Sequence, residues 1–175
     1  MFYKCIKLNN IDLTFFDTTN IIDMSKMFAY NNLKNIDLSS FKTIKVKKMN
    51  SMFSYCGNLE QIDLSSFDTS KVDDMSSMFR GCKKLRNVNL LSFDTKEVKN
   101  MSNMFDGCEM IEKIDLSSFV ILENVEFTSM FNNCKQLNYV NDSFIKKIKN
   151  EFWSNIFEGC EIITFIKGGK RNFNK

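Results

Sequence analysis

The chain has 175 residues with 43% apolar side chains, enough for one domain with its own core and too apolar for a disordered segment. A net charge of +3 is too small to name a nucleic-acid partner, and the lack of histidine removes the commonest base and metal ligand. There are 18 Phe, 11 Met, 6 Cys and no Pro, and no apolar run approaches the roughly 18 residues that span a bilayer.

The N-terminus, MFYKCIKLNN, lacks the apolar stretch of a signal peptide, so Cys5 does not read as a lipidation site. These residues already stand in register with the rest of the chain. Met1, Phe2, Cys5, Leu8 and Ile11 occupy columns that recur along it. The Met-Phe pair begins at Met1, Met27, Met52, Met78, Met104 and Met130, and Ile156 with Phe157 continues it. An Ile/Val-Asp/Asn-Leu element begins at Ile11, Ile36, Ile62, Val88, Ile114 and Val140. The period is 26 residues, with one step of 25. The short step lies between Met27 and Ile36, where NNL stands for the CGNL or CKKL of the neighbouring copies; the missing residue is at the cysteine.

A unit of this length cannot enclose its own apolar face, so successive copies must stack and turn each column into a ladder. The third copy, residues 52–77, states the unit: MFSYCGNLEQIDLSSFDTSKVDDMSS. Leu59, Ile62 and Leu64 have leucine-rich-repeat spacing, and Ile62 and Leu64 alternate with polar residues as a short strand does. Parallel stacking of such strands, roughly 4.8 Å apart, predicts a narrow sheet along one side. Met75-Ser76-Ser77-Met78-Phe79 has apolar residues three and four apart and predicts one helical turn, with Ser76 as its cap and Ser25, Ser102, Thr128 and Ser154 in the same place. The polar Ser-Ser-Phe-Asp-Thr loop between them is pinned by one inward Phe: Phe41, Phe67, Phe93 or Phe119.

The pattern decays from about residue 120. Val120-Ile121-Leu122 replaces Asp-Thr-Ser, Val140-Asn141-Asp142 loses the inward Leu, and Trp153 takes a Met column. The last strand is expected near Phe165-Ile166. The fold class expected is an α/β repeat solenoid of about six copies, a single domain over 1–167 that starts in mid-repeat, followed by a basic, disordered tail at 168–175.

The unit MSxMFxGCxxLxxIDLSSFDTSxV resembles the BspA-like leucine-rich-repeat surface proteins of bacteria over nearly the whole chain. The resemblance implies an exported solenoid that adheres to host matrix or cell surfaces, and it supplies no catalytic residues. It places the protein at the cell surface or outside the cell. The missing signal peptide leaves a cytoplasmic location as the alternative.

Several features are candidates for chemistry. Cys5, Cys56, Cys82, Cys108, Cys134 and Cys160 recur once per turn, which suits buried small apolar residues better than disulfides. No Cys-x-x-Cys pair exists for zinc, and a cysteine nucleophile has no histidine to activate it. The paired columns Met24/Met27, Met49/Met52, Met75/Met78 and Met101/Met104 read as packing rather than a Cu(I) site. No cofactor is implied. The Asp-Thr pairs, such as Asp68-Thr69, read as turn residues that bond the backbone. Lysine and arginine clusters at 42–48, 83–86, 146–149 and 167–171 read as solvated connecting segments.

The outward side of the strands is the candidate binding face. One row holds Asn35, Gln61, Asn87, Lys113 and Tyr139; the next holds Asp37, Asp63, Asn89, Asp115 and Asn141. Like charges in a row repel, so the Asp row must be screened, bound to a cation or matched by a partner. The face predicts a polar, mildly acidic platform for a protein or glycan, with no catalytic and no metal-binding residues and no nucleic acid as partner. The alternative is an intracellular interaction scaffold or effector with the same fold. No polar cap marks either end, so end-to-end self-association is a further expectation.

Overall fold

The computed structural model describes residues 1–141, 153–160, 163–165 and 169–171. The 26-residue copies lie on one another in register. Phe2, Phe28, Phe53, Phe79, Phe105, Phe131 and Phe157 form one file of stacked rings, with neighbouring centroids 5.3–5.7 Å apart. All but Phe2 of this file are fully buried. Each such ring contributes about 1.5–3 kcal/mol by leaving water, and stacking adds up to about 1.5 kcal/mol. The loop phenylalanines Phe41, Phe67, Phe93 and Phe119 are buried as expected.

Short parallel strands occupy the predicted place in four copies. They are β1 (Gln61–Asp63), β2 (Asn87–Asn89), β3 (Lys113–Ile114) and β4 (Tyr139–Val140). β1 pairs with β2 and β3 with β4, residue against homologous residue: Ile62 faces Val88, and Ile114 faces Val140. The equivalent stretches at Ile11 and Ile36 do not form strands. A second parallel ladder links Asp23, Lys48, Asp74, Asn100 and Glu126.

The expected helical turn is absent from the regular copies. At 75–81 the chain instead makes consecutive tight turns. The Met78 N–H bonds the Met75 carbonyl at 3.3 Å, and the Cys82 N–H bonds that of Phe79 at 3.0 Å. Ser77 and Gly81, third in these turns, have φ of 56° and 70°, as a type II turn requires. The amides between them reach out of the copy. The N–H groups of Met75, Ser77, Phe79 and Gly81 bond the carbonyls of Asn100, Ser102, Met104 and Asp106 at 2.7–2.9 Å. A helix would turn those amides inward, to carbonyls four residues back. The proposed serine caps are not acceptors here either: the amides of Ser25, Ser76 and Ser102 donate to Asp23, Asp74 and Asn100 Oδ1 at 2.8–2.9 Å. In the last copy this place is helical, as α1 (Trp153–Ile156).

Two further columns sew copies together. The thiols of Cys56, Cys82, Cys108, Cys134 and Cys160 are buried and donate to the carbonyls of Phe28, Phe53, Phe79, Phe105 and Phe131 at 3.0–3.1 Å. Burial pushes the Cys56 thiol up to about 11 and the Cys160 thiol to about 12. Cys5 is exposed, and all six cysteines are free. Thr18, Thr43, Thr69 and Thr95 are buried where local turn residues were expected. Each hydroxyl answers both backbone groups of one residue in the next copy. Thr69 Oγ1 accepts from the Asp94 N–H at 2.8 Å and donates to the Asp94 carbonyl at 2.9 Å.

The C-terminal part does not follow the parallel pattern. β5 (Ile163–Phe165) lies beside β4 and pairs antiparallel with β6 (Gly169–Arg171). Gly169–Arg171, expected within a disordered tail, is therefore strand; Ile166, Gly168 and residues 172–175 lie outside the described residues.

Thr69→Val keeps the side-chain shape and removes the partner of both Asp94 backbone groups. It is expected to cost about 1–3 kcal/mol in chemical denaturation. Gly81→Ala would place a Cβ 2.6 Å from the Tyr55 ring at a φ of 70° and is expected to cost about 1–3 kcal/mol. Gly57, where an added methyl would meet nothing within 4 Å and the backbone is not left-handed, should accept Ala at no cost or gain up to about 1 kcal/mol.

Candidate binding face

The pleat of β1 and β2 decides which side chains face outward. Ile62 and Val88 turn toward the core, while Gln61, Asp63, Asn87 and Asn89 are exposed. With Asn35 and Asp37 of the preceding copy they line one open trough of about 580 Å³, floored by Ile36 and Ile62. Six of the ten candidate residues thus converge on a single feature. Three carboxamides from three successive copies form one side of it, and the Asp37, Asp63 and Asn89 row forms the other.

The remaining four candidates divide. Lys113 and Asp115 are exposed on the next copy, beyond the trough. Tyr139 is half-buried. Asn141 is buried rather than outward-facing, because its Oδ1 reaches back to accept the Leu116 N–H at 2.7 Å. It belongs to the framework and drops out of the face.

The Asp row has a local cause that the charge pattern does not reveal. Asp37 Oδ1 accepts the Ser39 N–H at 2.9 Å, Asp63 the Ser65 N–H at 2.9 Å, and Asp115 the Ser117 N–H at 2.8 Å. Asn89 does the same for Leu91 at 3.1 Å. Each side chain closes the turn that follows it. The backbone bond, seconded by the hydroxyl of the same serine, holds the Asp37 and Asp63 carboxyls below the ordinary carboxylate value. Asp12 is lowered in the same way by Thr14. These bonds let a row of carboxylates persist across copies. One oxygen of each is occupied by the turn, so the row offers a partner its remaining lone pairs and its charge.

Many basic side chains away from the face are engaged. Lys83 and Lys135 both pair with Glu109, at 3.3 and 2.7 Å, Lys34 with Glu60 at 3.6 Å, and Lys45 bonds Asn20 Oδ1 at 2.7 Å. Lys146, Lys147, Lys149 and Lys167 lie outside the described residues. Among the described residues no group of three or more His, Cys, Asp or Glu is placed to hold a metal ion. No helix among them is long and apolar enough to cross a membrane.

The sequence matches the family described as "Mycoplasma protein of unknown function, DUF285" over residues 1–90 and again over 60–164. No curated protein matches it. Among solved structures, it is similar to a leucine-rich repeat protein from Bacteroides ovatus ATCC 8483, at 15% sequence identity and a TM-score of 0.34. That similarity covers 81% of this chain and 45% of the other, so the chain spans less than half the length of that protein.

The lowered carboxyls set a sign for acid stability. Their stabilising contribution is complete above the unfolded value of 3.8 and is lost as pH falls through the lower folded values. Carboxyl-carbon chemical shifts of Asp37 and Asp63 should titrate with midpoints below 3.8. Resistance to denaturant should fall steadily below about pH 4. Midpoints at or above 3.8 would show that the turn bonds are not formed in solution.

Proposed function

Since the chain belongs to the family described as Mycoplasma protein of unknown function, DUF285, and its repeat resembles that of BspA-like surface proteins, we propose that it is a non-catalytic binding module, a leucine-rich-repeat-type solenoid whose strand face receives a protein or glycan. The reading rests on one observation: outward side chains from three successive copies line a single open trough. Its walls carry carboxamides, which both donate and accept, and two carboxylates, with no cation among them. Such a surface suits a partner rich in hydroxyl or peptide groups. A location at the cell surface or outside the cell goes with this reading.

Repetition also argues against catalysis. A reaction needs one place where unlike groups converge, whereas here each copy presents the same group at the same offset. Broad contact by many weak polar bonds is what a repeated surface provides.

The turn bonds dictate the form of the test. Asp37→Asn with Asp63→Asn keeps the Oδ1 acceptor, as Asn89 already does, and removes the charge. Combined with Asn35→Ala, Gln61→Ala and Asn87→Ala, it strips the trough without touching the core. On immobilised protein probed with purified matrix proteins and defined glycans, this variant should lose about tenfold or more in affinity for whichever partner the parent binds. Its melting curve should match the parent's. Undiminished binding of that partner would remove the strand face as the site.

A further inference from the structure

The column that follows Met-Phe by two residues is left-handed in every copy. It holds Gly81, Gly107 and Gly159 at φ of 70–74° and Asn133 at 58°. Glycine and asparagine are the residues that tolerate such backbone. Three copies depart from this: Lys4 opens the column at 59°, and Tyr30 and Tyr55 stand there at φ of 61° and 59°. A bulky ring held in this region works against its own backbone preference, which directs attention to what the side chain does.

The two tyrosine rings stack at 4.7 Å and 18°. Tyr3 meets Tyr30 edge-on at 5.8 Å, and the Arg80 guanidinium lies 5.9 Å from the Tyr55 ring. With ring faces taken up in this way, the two residues remain 39% and 41% exposed. They border a depression of about 490 Å³ whose apolar contribution otherwise comes from Ile6, itself 69% exposed.

The depression coincides with the copy that is one residue short. In the copy that is one residue short, Asn31 stands in the cysteine column, 4% exposed. Its Nδ2 replaces the missing thiol as donor, to the carbonyls of Phe2 at 3.0 Å and Phe28 at 2.8 Å. Its Oδ1 is buried without a hydrogen-bond partner. Asn31 lines the depression, as do Asn32 and Asn58, whose carboxamides bond each other and, through Asn32, reach Asn9. Among the described residues lining it, Lys83 and Lys84 carry charge and none is a carboxylate.

We propose that this depression is a second binding site, separate from the strand face, for a sugar that carries a carboxylate. Sugar hydroxyls exchange bonds with the Asn32 and Asn58 carboxamides and the two phenols, each of which both donates and accepts. The C–H face of the ring rests on Ile6 and the tyrosine rims. The carboxylate lies toward Lys84, beside a Lys83 already held by Glu109 at 3.3 Å. The lining favours one sign of charge and a ligand dense in hydroxyls, which a peptide strand or an aliphatic chain does not offer.

The test is calorimetric titration of the whole chain with two acidic probes, a glucuronate-containing hyaluronan hexasaccharide and sialyllactose, and two neutral ones, fully N-acetylated chitohexaose and lactose. At least one acidic probe should bind, about tenfold or more tighter than its neutral counterpart and more weakly as salt is raised. Which acidic probe binds tells a uronate from a sialate. Tyr30→Gly with Tyr55→Gly installs the residue this backbone favours, and Lys84→Gln changes an exposed head group. Each should weaken acidic-sugar binding about tenfold or more with the thermal transition still cooperative. The strand-face variant Asp37→Asn with Asp63→Asn should bind the sugar as the parent does, so failure here and failure of the strand face are told apart. No binding of either acidic probe at about millimolar concentration, equal binding of neutral sugars, or full binding by Lys84→Gln and the tyrosine double variant would each overturn the assignment.

Discussion

Backbone polar groups that leave water must find partners, and this chain satisfies them between copies rather than within them. Along 75–81 every second amide donates to the next copy, and the groups between close tight turns. The alternation explains the rigid period: one extra residue would exchange inward-facing and outward-facing amides for the rest of the segment. The 25-residue copy is tolerated because its missing residue lies just past the ladder, next to the cysteine column. There Asn31 restores the lost bond through Nδ2.

What was legible in the sequence was the stacking. Period, phenylalanine files, buried thiols and strand positions follow from apolar residues recurring in fixed columns, and burial depends on little else. The kind of turn was not legible. Met75 and Met78 are three apart in a helix and in a pair of tight turns alike, and only the φ of Ser77 separates the two. Serine at a left-handed position leaves no compositional trace; glycine at Gly81 does, and it was available to be read. The threonine column hid for a related reason. A hydroxyl that serves the next copy has the same sequence signature as one serving its own turn.

The candidate face was legible in its middle and lost at its end. Where copies are regular, period-two alternation places Gln61, Asp63, Asn87 and Asn89 outward, and the trough collects them. Asn141 sits where the copies decay, and a long-range bond to Leu116 draws it inside. The aspartates serve twice: each closes its own turn through Ser39, Ser65 or Ser117 and adds charge to the surface. Structural need alone accounts for their recurrence, so recurrence cannot by itself be counted as a mark of ligand contact. The informative positions are those where a copy breaks the rule without local need, as Tyr30 and Tyr55 do.

The thiol column has a practical corollary. Thiolates, not thiols, attack electrophiles, and five of the six sulfurs are sealed in the core and bonded to carbonyls. Thiol-alkylating reagents therefore meet one accessible thiol, that of Cys5. A maleimide dye or biotin attached there would tether every molecule through the same residue, leaving the strand face clear for surface-based measurements.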